Sequence, residues 1–269
     1  MSPTQQQRED PDWVKAVIHA HIHYSVPGMN RVTVRRDLIY KTTKDGPLHF
    51  DLYTPLSETG AAPVPAVILI HGGPIPSNLL TSPKDWGLFR SYGQVLAASG
   101  LAVIMFNHRF FALDMAPAAM TDIHDLVAHI SAQAEGLAID ANRICLWAFS
   151  GGGVFLSPFL RETPEAIRCV IAYYAALHAS VPEFSPATRI SENIGRLPPL
   201  LVARAGLDMA QLNDGIDHFV RQALQKNAPL DLLNHATGHH AFDVRDENDR
   251  TRDILRRTVE FVRTNLELR

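Results

Sequence analysis

Continuous apolar runs, separated by polar segments that contain glycine or proline, dominate the pattern of hydrophobic positions along the chain. They are AVILI (66–70), LAVIMF (101–106), RICLWAF (143–149), CVIAYY (169–174) and LLVARA (200–205), and a further strand-like run, LDLLNH (230–235), follows. Runs without alternation are typical of strands that are buried on both faces of a sheet. Near the start, alternating positions at 32–41 and 49–53 flank Asp45-Gly46-Pro47 and predict an antiparallel hairpin at a sheet edge.

Between these runs the apolar spacing changes to the helical period. Three segments place apolar residues at i, i+3, i+4 and i+7 or at similar helical intervals: Ile123, Leu126, Val127 and Ile130; Ile216, Phe219, Val220 and Ala223; Leu255, Val259, Val262 and Leu266. Gly100 and Gly136 stand where the helices before two strands should stop. Alternation of strands and helices predicts an α/β fold, a mostly parallel sheet with helices on both faces.

Composition and charge narrow the class of protein. The 269 residues are 46% hydrophobic with a formal net charge of -3, which predicts a globular unit with ample core and no electrostatic footprint for nucleic acid. We find no secretory signal pattern and no apolar run of membrane-spanning length, so we expect a cytoplasmic protein that acts on a small molecule, without a membrane partner. Cys145 and Cys169 lie inside apolar runs and are expected to be buried free thiols. The composition leaves a homo-oligomer open.

Ser150 lies between the strand RICLWAF and three glycines, in the stretch AFSGG (148–152). The carboxyl ends of strands in an open α/β sheet are where ligands bind. A nucleophilic serine on a tight strand-to-helix turn requires small residues two positions before and two positions after it, and here they are Ala148 and Gly152. The pattern predicts that Ser150 is a catalytic nucleophile; the alternative is a glycine-rich loop that only turns a corner.

A serine nucleophile needs a base and an acid that orients the base. Asp208, in AGLD after the strand LLVARA, is the predicted acid, and His240, in GHHAF before the last helix, is the predicted base. Competing acids are Asp214 and Asp217, which belong to a helix, and Asp243, which follows the histidine too closely to reach around it. For Asp208 the alternative is a solvated helix cap.

The oxyanion of acyl transfer needs hydrogen-bond donors. The N–H of Gly151, directly after the nucleophile, is one predicted donor. The loop HGGP (71–74) follows the strand AVILI, and there the N–H of Gly73 is the second predicted donor, because Pro74 has none. An ordinary turn is the alternative interpretation of HGGP.

Taken together, HGGP, AFSGG, AGLD and GHHAF resemble the α/β-hydrolase fold, and within it the dienelactone hydrolase-like and acetyl-esterase-like carboxylesterases. The resemblance spans about residues 30 to 268. It implies a serine esterase that needs no cofactor. Dienelactone hydrolases proper use a cysteine nucleophile, whereas this chain has Ser150. In similar hydrolases a small residue and then an aromatic follow the base, a pattern that favours His240 over its neighbour His239.

The sequence therefore predicts a single α/β-hydrolase domain over 1–269, with an N-terminal helical extension at 1–28 and a short lid at 177–199. Its predicted reaction is two-step hydrolysis of small carboxylic esters; a peptidase, an acyltransferase and a catalytically silent receptor are the alternatives. HAHIHY (19–24) resembles a metal-binding run, but Asp10-Pro11 and the spacing of Val14, Val17, Ile18 and Ile22 favour a helix, and we predict no metal site there. His108, Arg109 and His178 stand at strand ends without an assigned role.

Overall fold

The computed structural model describes residues 16–56, 62–75, 79, 81–193 and 195–268. Within these residues, eight strands form one sheet in the order β1-β2-β4-β3-β5-β6-β7-β8. The strands are β1 (Thr33–Thr43), β2 (Gly46–Thr54), β3 (Val64–Ile70), β4 (Ala102–Phe106), β5 (Ile139–Phe149), β6 (Ile167–Tyr173), β7 (Leu200–Ala205) and β8 (Leu230–His235).

The first two strands form the predicted edge hairpin. β1 pairs with β2 in antiparallel register, and β2 pairs antiparallel with β4. The strands from β3 to β8 all pair in parallel. Each of the six strand-like apolar runs lies within or largely within one of these parallel strands, so the prediction of a mostly parallel sheet is confirmed.

Helices cover both faces of the sheet. They are α1 (Gly87–Ala98), α2 (Ala116–Ala132), α3 (Ala134–Leu137), α4 (Ser157–Arg161), α5 (Pro186–Ser191), α6 (Ala210–Gln225), α7 (Phe242–Arg245) and α8 (Asp249–Asn265). Buried residues of α1, α7 and α8 pack on one face, and those of α2, α4, α5 and α6 pack on the other. None of the helices that the structure describes has the length and apolar character needed to cross a membrane.

The continuous apolar runs are explained by this covering on both sides. Successive side chains of a strand point to opposite faces. In β3, Ile68 and Ile70 therefore belong to one core while Val67 and Leu69 belong to the other, and all four are almost completely buried. A strand between two helical layers has no polar face.

Two local predictions were wrong. Gly100 follows α1 in the left-handed conformation with φ 96°, as predicted, but Gly136 lies inside the short helix α3, and Ala138 takes the left-handed position with φ 56°. The predicted start of the N-terminal helix at Asp10-Pro11 lies outside the described residues. Residues 16–19 are helical, but the helix does not continue to Ile22, whose N–H instead donates to Oγ of Ser91 on α1 at 3.1 Å.

The proline-rich and polar segments 74–90 and 177–199, which the sequence predicts as long loops, contain more structure than expected. Helix α1 begins at Gly87, inside the first of them, and helix α5 lies inside the second. Ala187 and Ile190 of α5 are fully buried in the core that α4 and α6 share. A lid over 177–199 stays a prediction.

Candidate active site

Ser150 follows the last residue of β5 and adopts a left-handed backbone conformation, with φ 51°. A non-glycine residue in this region is strained, and such strain is characteristic of a nucleophile held on a sharp turn. A 3-10 helix, Ser150–Leu156, begins at the serine and leads into α4. The run VFLSPFL (154–160), which follows the serine and its glycines, is thus helical, although residues 154–156 have the tighter 3-10 form.

The glycines around Ser150 allow close approach of backbone segments. A Cβ on Gly152 would lie 2.9 Å from the carbonyl oxygen of Ile70 and would also collide with that of His71. A Cβ on Gly72 would lie 2.8 Å from Cβ of Ser150. Ala148, two residues before the serine, is completely buried. The prediction that only small residues fit at these positions agrees with the space available.

The structure brings Ser150, His240 and Asp208 into one hydrogen-bonded chain. Nδ1 of His240 lies 2.7 Å from Oδ2 of Asp208, and Nε2 lies 2.9 Å from Oγ of Ser150. With Nδ1 protonated, the imidazole donates to the carboxylate and accepts from the serine hydroxyl. The Asp208 side chain is 1% exposed and that of His240 is 12% exposed. The carboxylate is therefore shielded from solvent, while a small part of the imidazole side chain is accessible.

Backbone contacts fix the loop that contains Asp208 against the loop that contains His240. The N–H of Leu207 donates to the carbonyl oxygen of Gly238 at 2.8 Å, and the N–H of Gly206 donates to the carbonyl oxygen of His235, also at 2.8 Å. Asn213, at the start of α6, donates from Nδ2 to the carbonyl oxygen of Ala205 at 3.0 Å. Asp208 and His240 are therefore held in register although 32 residues separate them.

The competing groups lie elsewhere. Asp214 and Asp217 are exposed on α6, and Asp217 pairs with Arg204. His239 turns away from the serine, since its Nδ1 lies 2.8 Å from Oδ1 of Asp246 and its side chain is 47% exposed. The neighbouring histidines thus point in different directions, and His240 is the one that reaches Ser150.

Gly73 and Gly151, the predicted oxyanion donors, lie against each other. A Cβ on Gly151 would be 3.1 Å from the amide nitrogen of Gly73 and would collide with its carbonyl oxygen. A backbone hydrogen bond links the loop that contains Gly73 to Phe110: the carbonyl oxygen of Phe110 accepts the N–H of Ile75 at 2.9 Å. The backbone of Gly73 therefore lies against that of Gly151, the residue directly after the serine, and the role of their N–H groups as oxyanion donors stays a prediction.

Two buried histidines, His71 of this loop and His108 after β4, pack against each other. The rings of His71 and His108 are stacked, with centroids 3.6 Å apart and an angle of 4° between them. Burial lowers the pKa of His71 to about 4, and burial together with the neighbouring imidazole lowers the pKa of His108 well below its ordinary value. Both rings are consequently neutral near pH 7, and His108 is a support for the loop rather than a group open to the pocket.

Arg109 and His178, the other residues at strand ends, have separate surroundings. Arg109 donates to both carboxylate oxygens of Asp122 on α2, at 2.9 and 2.8 Å, which anchors the segment that contains Phe110. His178 is exposed, and its ring lies 4.9 Å from that of His218 on α6. Arg109 thus acts on the loop only through the backbone.

The histidines of the HAHIHY run do not come together as ligands. His23 contacts the carbonyl oxygen of Val244 through Nε2 at 3.1 Å, which ties the N-terminal segment to α7. In the described ranges, no group of three or more His, Cys, Asp or Glu side chains is arranged to hold a metal ion. Cys145 and Cys169 are buried free thiols on neighbouring strands, as predicted.

Sequence reasoning missed a buried carboxylate, Asp243, that is hydrogen-bonded to two tyrosines. Asp243 is fully buried, and its carboxylate accepts hydrogen bonds from the hydroxyls of Tyr92, at 2.7 Å, and Tyr174, at 2.9 and 3.0 Å. Burial raises the pKa of the Asp243 carboxyl to about 6, and the two tyrosine hydrogen bonds oppose that rise. No local signal connects Tyr92 with residue 243, because 151 positions separate them.

Comparisons with known proteins agree on the architecture. Brefeldin A esterase, described as a bacterial homologue of human hormone sensitive lipase, superposes with a TM-score of 0.74 at 20% identity, covering 96% of this chain and 84% of its own. EstE1, a thermophilic carboxylesterase cloned from a metagenomic library, gives 0.72 at 19% identity, with 99% and 98% covered. The Est2 esterase of the planctomycete Thermogutta terrifontis gives 0.71 at 17%, with 88% and 94% covered.

A family model described as BD-FAE matches residues 50–159, which contain both the HGGP loop and Ser150. No curated protein sequence matches the chain significantly. The sheet order, the helices on both faces and the structural likeness show that the chain has the α/β-hydrolase fold, as the sequence predicted.

Proposed function

We propose that the protein is a serine hydrolase that cleaves small carboxylic esters through an acyl-enzyme intermediate. The observation that carries the proposal is the continuous chain from Asp208 through His240 to the strained Ser150, with contacts of 2.7 and 2.9 Å. That the structural neighbours are described as esterases supports the same chemistry for this fold.

The proposed reaction proceeds in two steps. His240 accepts the hydroxyl proton as Oγ of Ser150 attacks the ester carbonyl, and Asp208 stabilises the imidazolium that forms. The N–H groups of Gly73 and Gly151 donate to the oxyanion. The imidazolium then returns the proton to the leaving alcohol, and a water molecule, activated by the same base, releases the acid and restores the serine.

These groups need neither a metal nor an organic cofactor, and we propose that the protein works without one. We further propose a small-molecule ester as its partner and the cytoplasm as its location, with no nucleic-acid or membrane partner. The slightly acidic charge balance supports the absence of a nucleic-acid partner, because clustered cations are needed to bind a phosphate backbone.

Substitution of Ser150 tests the proposal directly. We expect Ser150→Ala to fold normally and to lose hydrolysis of p-nitrophenyl acetate by about three orders of magnitude or more, because removal of the nucleophile abolishes the acyl-enzyme. Ser157→Ala is the matched control, since Ser157 is a buried serine of the following helix whose hydroxyl donates to the carbonyl oxygen of Val154 at 2.8 Å. Retained hydrolysis in purified Ser150→Ala protein would contradict the nucleophile assignment.

A fluorophosphonate probe separates the alternatives. Labelling of Ser150 without ester hydrolysis would indicate a peptidase or an acyltransferase, since the triad alone does not select the acceptor. Absence of labelling in the wild-type protein would indicate a catalytically silent receptor and would overturn the proposal.

Substrate size is a separate prediction. The described part of the segment 177–199 contains only the short helix α5 and a 3-10 turn over residues 182–184, and it forms no extended helical cap. Little apolar wall is therefore available to a long acyl chain, and we expect kcat/KM to be higher for short acyl chains than for chains of about ten or more carbons. A steady rise of kcat/KM with chain length in a p-nitrophenyl ester series would disprove this.

A further inference from the structure

A buried carboxylate is connected to the imidazole of the proposed base through the side chain of Tyr174, and the proposed reaction does not use it. Asp243 is the first residue after Phe242 in α7, and its side chain is enclosed by α1, the end of β6 and the histidine loop. Two tyrosine hydroxyls donate to it. A buried carboxylate is costly unless it is hydrogen-bonded, so these donors keep a charge where a neutral residue would be easier to bury.

Tyr174 connects this carboxylate with the base. Its hydroxyl donates to Asp243, while its ring meets the ring of His240 edge to face, with centroids 4.9 Å apart and an angle of 61°. The backbone of Tyr174 is itself fixed, because its N–H donates to the carbonyl oxygen of Ala203 at 2.8 Å and its φ is 37°. The phenol is thus a rigid element between the carboxylate and the imidazole.

Charge acts across the same short path. A protonated His240 lowers the pKa of Asp243, because the two opposite charges attract each other across this path. The surroundings are aromatic and dry, and charges interact more strongly there than in water.

We propose that Asp243, held by Tyr92 and Tyr174, is a positioning residue that fixes the orientation of His240 and stabilises its protonated form during the reaction. This inference rests on the proposed role of His240 as the base. The imidazolium is then stabilised by two carboxylates: that of Asp208 in direct contact, and that of Asp243, which accepts a hydrogen bond from the hydroxyl of Tyr174.

The titratable and charged groups around the pair come from every element packed against it: Tyr92 of α1, Tyr173 and Tyr174 at the end of β6, Asp208 after β7, and Arg245 of α7, which donates to the His240 carbonyl oxygen at 3.4 Å. The main-chain oxygen of Asp243 accepts the N–H of His23 at 2.9 Å. Asp208 is common to all variants below, so a change in the imidazole pKa between them reports on Asp243.

The test is the pKa of His240, measured by NMR titration of the imidazole in protein labelled at histidine, together with the pH profile of kcat/KM. Asp243→Asn keeps the shape of the side chain and removes its charge. We expect the His240 pKa to fall by about half a unit to one unit, and kcat for p-nitrophenyl acetate to fall about threefold to tenfold with little change in KM.

Tyrosine variants supply the second arm and the control. Tyr92→Phe and Tyr174→Phe each remove a donor, which raises the pKa of Asp243 and neutralises it near pH 7, so the His240 pKa should fall as in Asp243→Asn. Combining Tyr174→Phe with Asp243→Asn should add little. Tyr173→Phe is the matched control, because the buried hydroxyl of Tyr173, the residue before Tyr174, bonds Oγ1 of Thr258 at 2.5 Å and not Asp243.

An unchanged His240 pKa and pH profile in folded Asp243→Asn and in both tyrosine variants would overturn the inference. If Asp243→Asn does not fold, the two tyrosine variants decide the question alone. The NMR titration does not depend on turnover. A fall in the His240 pKa in a protein without esterase activity would therefore support the positioning role while the proposed function fails, and an active wild type with unchanged variants would give the opposite result.

Discussion

At the scale of single residues, the direction of one side chain separates His240 from His239. Ala241 adopts a left-handed conformation with φ 60°, which turns the chain sharply after His240. The carboxylate of Asp246 accepts both the N–H and the ring Nδ1 of His239, at 2.7 and 2.8 Å. His239 therefore holds the loop from outside while His240 faces the serine.

We expect His240→Ala to lose activity as severely as Ser150→Ala, because both remove the same proton transfer, and the double variant to be little worse than either. His239→Ala should keep most of its kcat, since its ring lies against Asp246. The measurement is kcat and KM for all four proteins. A severe loss in His239→Ala beside a mild loss in His240→Ala would reverse the assignment.

At the scale of elements, the turn from β5 into the 3-10 helix depends on backbone packing. β5 lies beside β3, and the start of the 3-10 helix packs closely against the carbonyl groups at the end of β3. Gly152 stands at this contact. Gly136 in α3 differs in kind, because a Cβ there would have no neighbour within 4 Å.

Alanine at these two glycines should change stability in opposite directions. Gly152→Ala should lower the free energy of unfolding by about 1–3 kcal/mol, because the neighbours are backbone atoms that cannot rotate away. Gly136→Ala should raise it by about 0.5–1 kcal/mol, because alanine reduces the entropy of the unfolded chain and fits the helix. Urea unfolding measures both, and equal effects would show that the contact at Gly152 is unimportant.

At the scale of the whole molecule, buried titratable groups on two sides of the site act on stability in opposite directions. The pKa of Asp243 is raised from 3.8 to about 6, so its contribution to stability is present below pH 3.8 and is lost as the pH rises through about 6. The pKa of His71 is lowered from 6.5 to about 4, so its contribution is present above pH 6.5 and is lost as the pH falls towards 4. Between pH 4 and pH 6 the two effects oppose each other.

Removal of the Asp243 charge should make the effect of His71 on the pH dependence of stability measurable. We expect Asp243→Asn to raise the free energy of unfolding at pH 7 by about 1–3 kcal/mol. The same variant should lose stability more steeply than the wild type as the pH falls from 6.5 to 4. Urea unfolding at pH 7, 5.5 and 4.5 checks both. Parallel pH dependences for the two proteins would show that Asp243 does not titrate in this window.

The sequence by itself determined the strands, the main helices, the edge hairpin and the sharp turn that carries Ser150. These follow from short-range physics: a strand between two helical layers must be apolar throughout, and a serine on a sharp turn must be flanked by small residues. The sequence also favoured His240 over His239, although only through the resemblance to known hydrolases.

Other features were decided only by the tertiary structure. The N-terminal helix ends before Ile22 because Ser91 of α1 accepts the Ile22 N–H, and Ala138 rather than Gly136 makes the left-handed turn before β5. The stacking of His71 on His108 and the contact between Asp243 and Tyr92 join residues 37 and 151 positions apart. The physical reason is that the burial of a polar group and its partner depend on how the helices pack on the sheet, and neither is encoded within a single element.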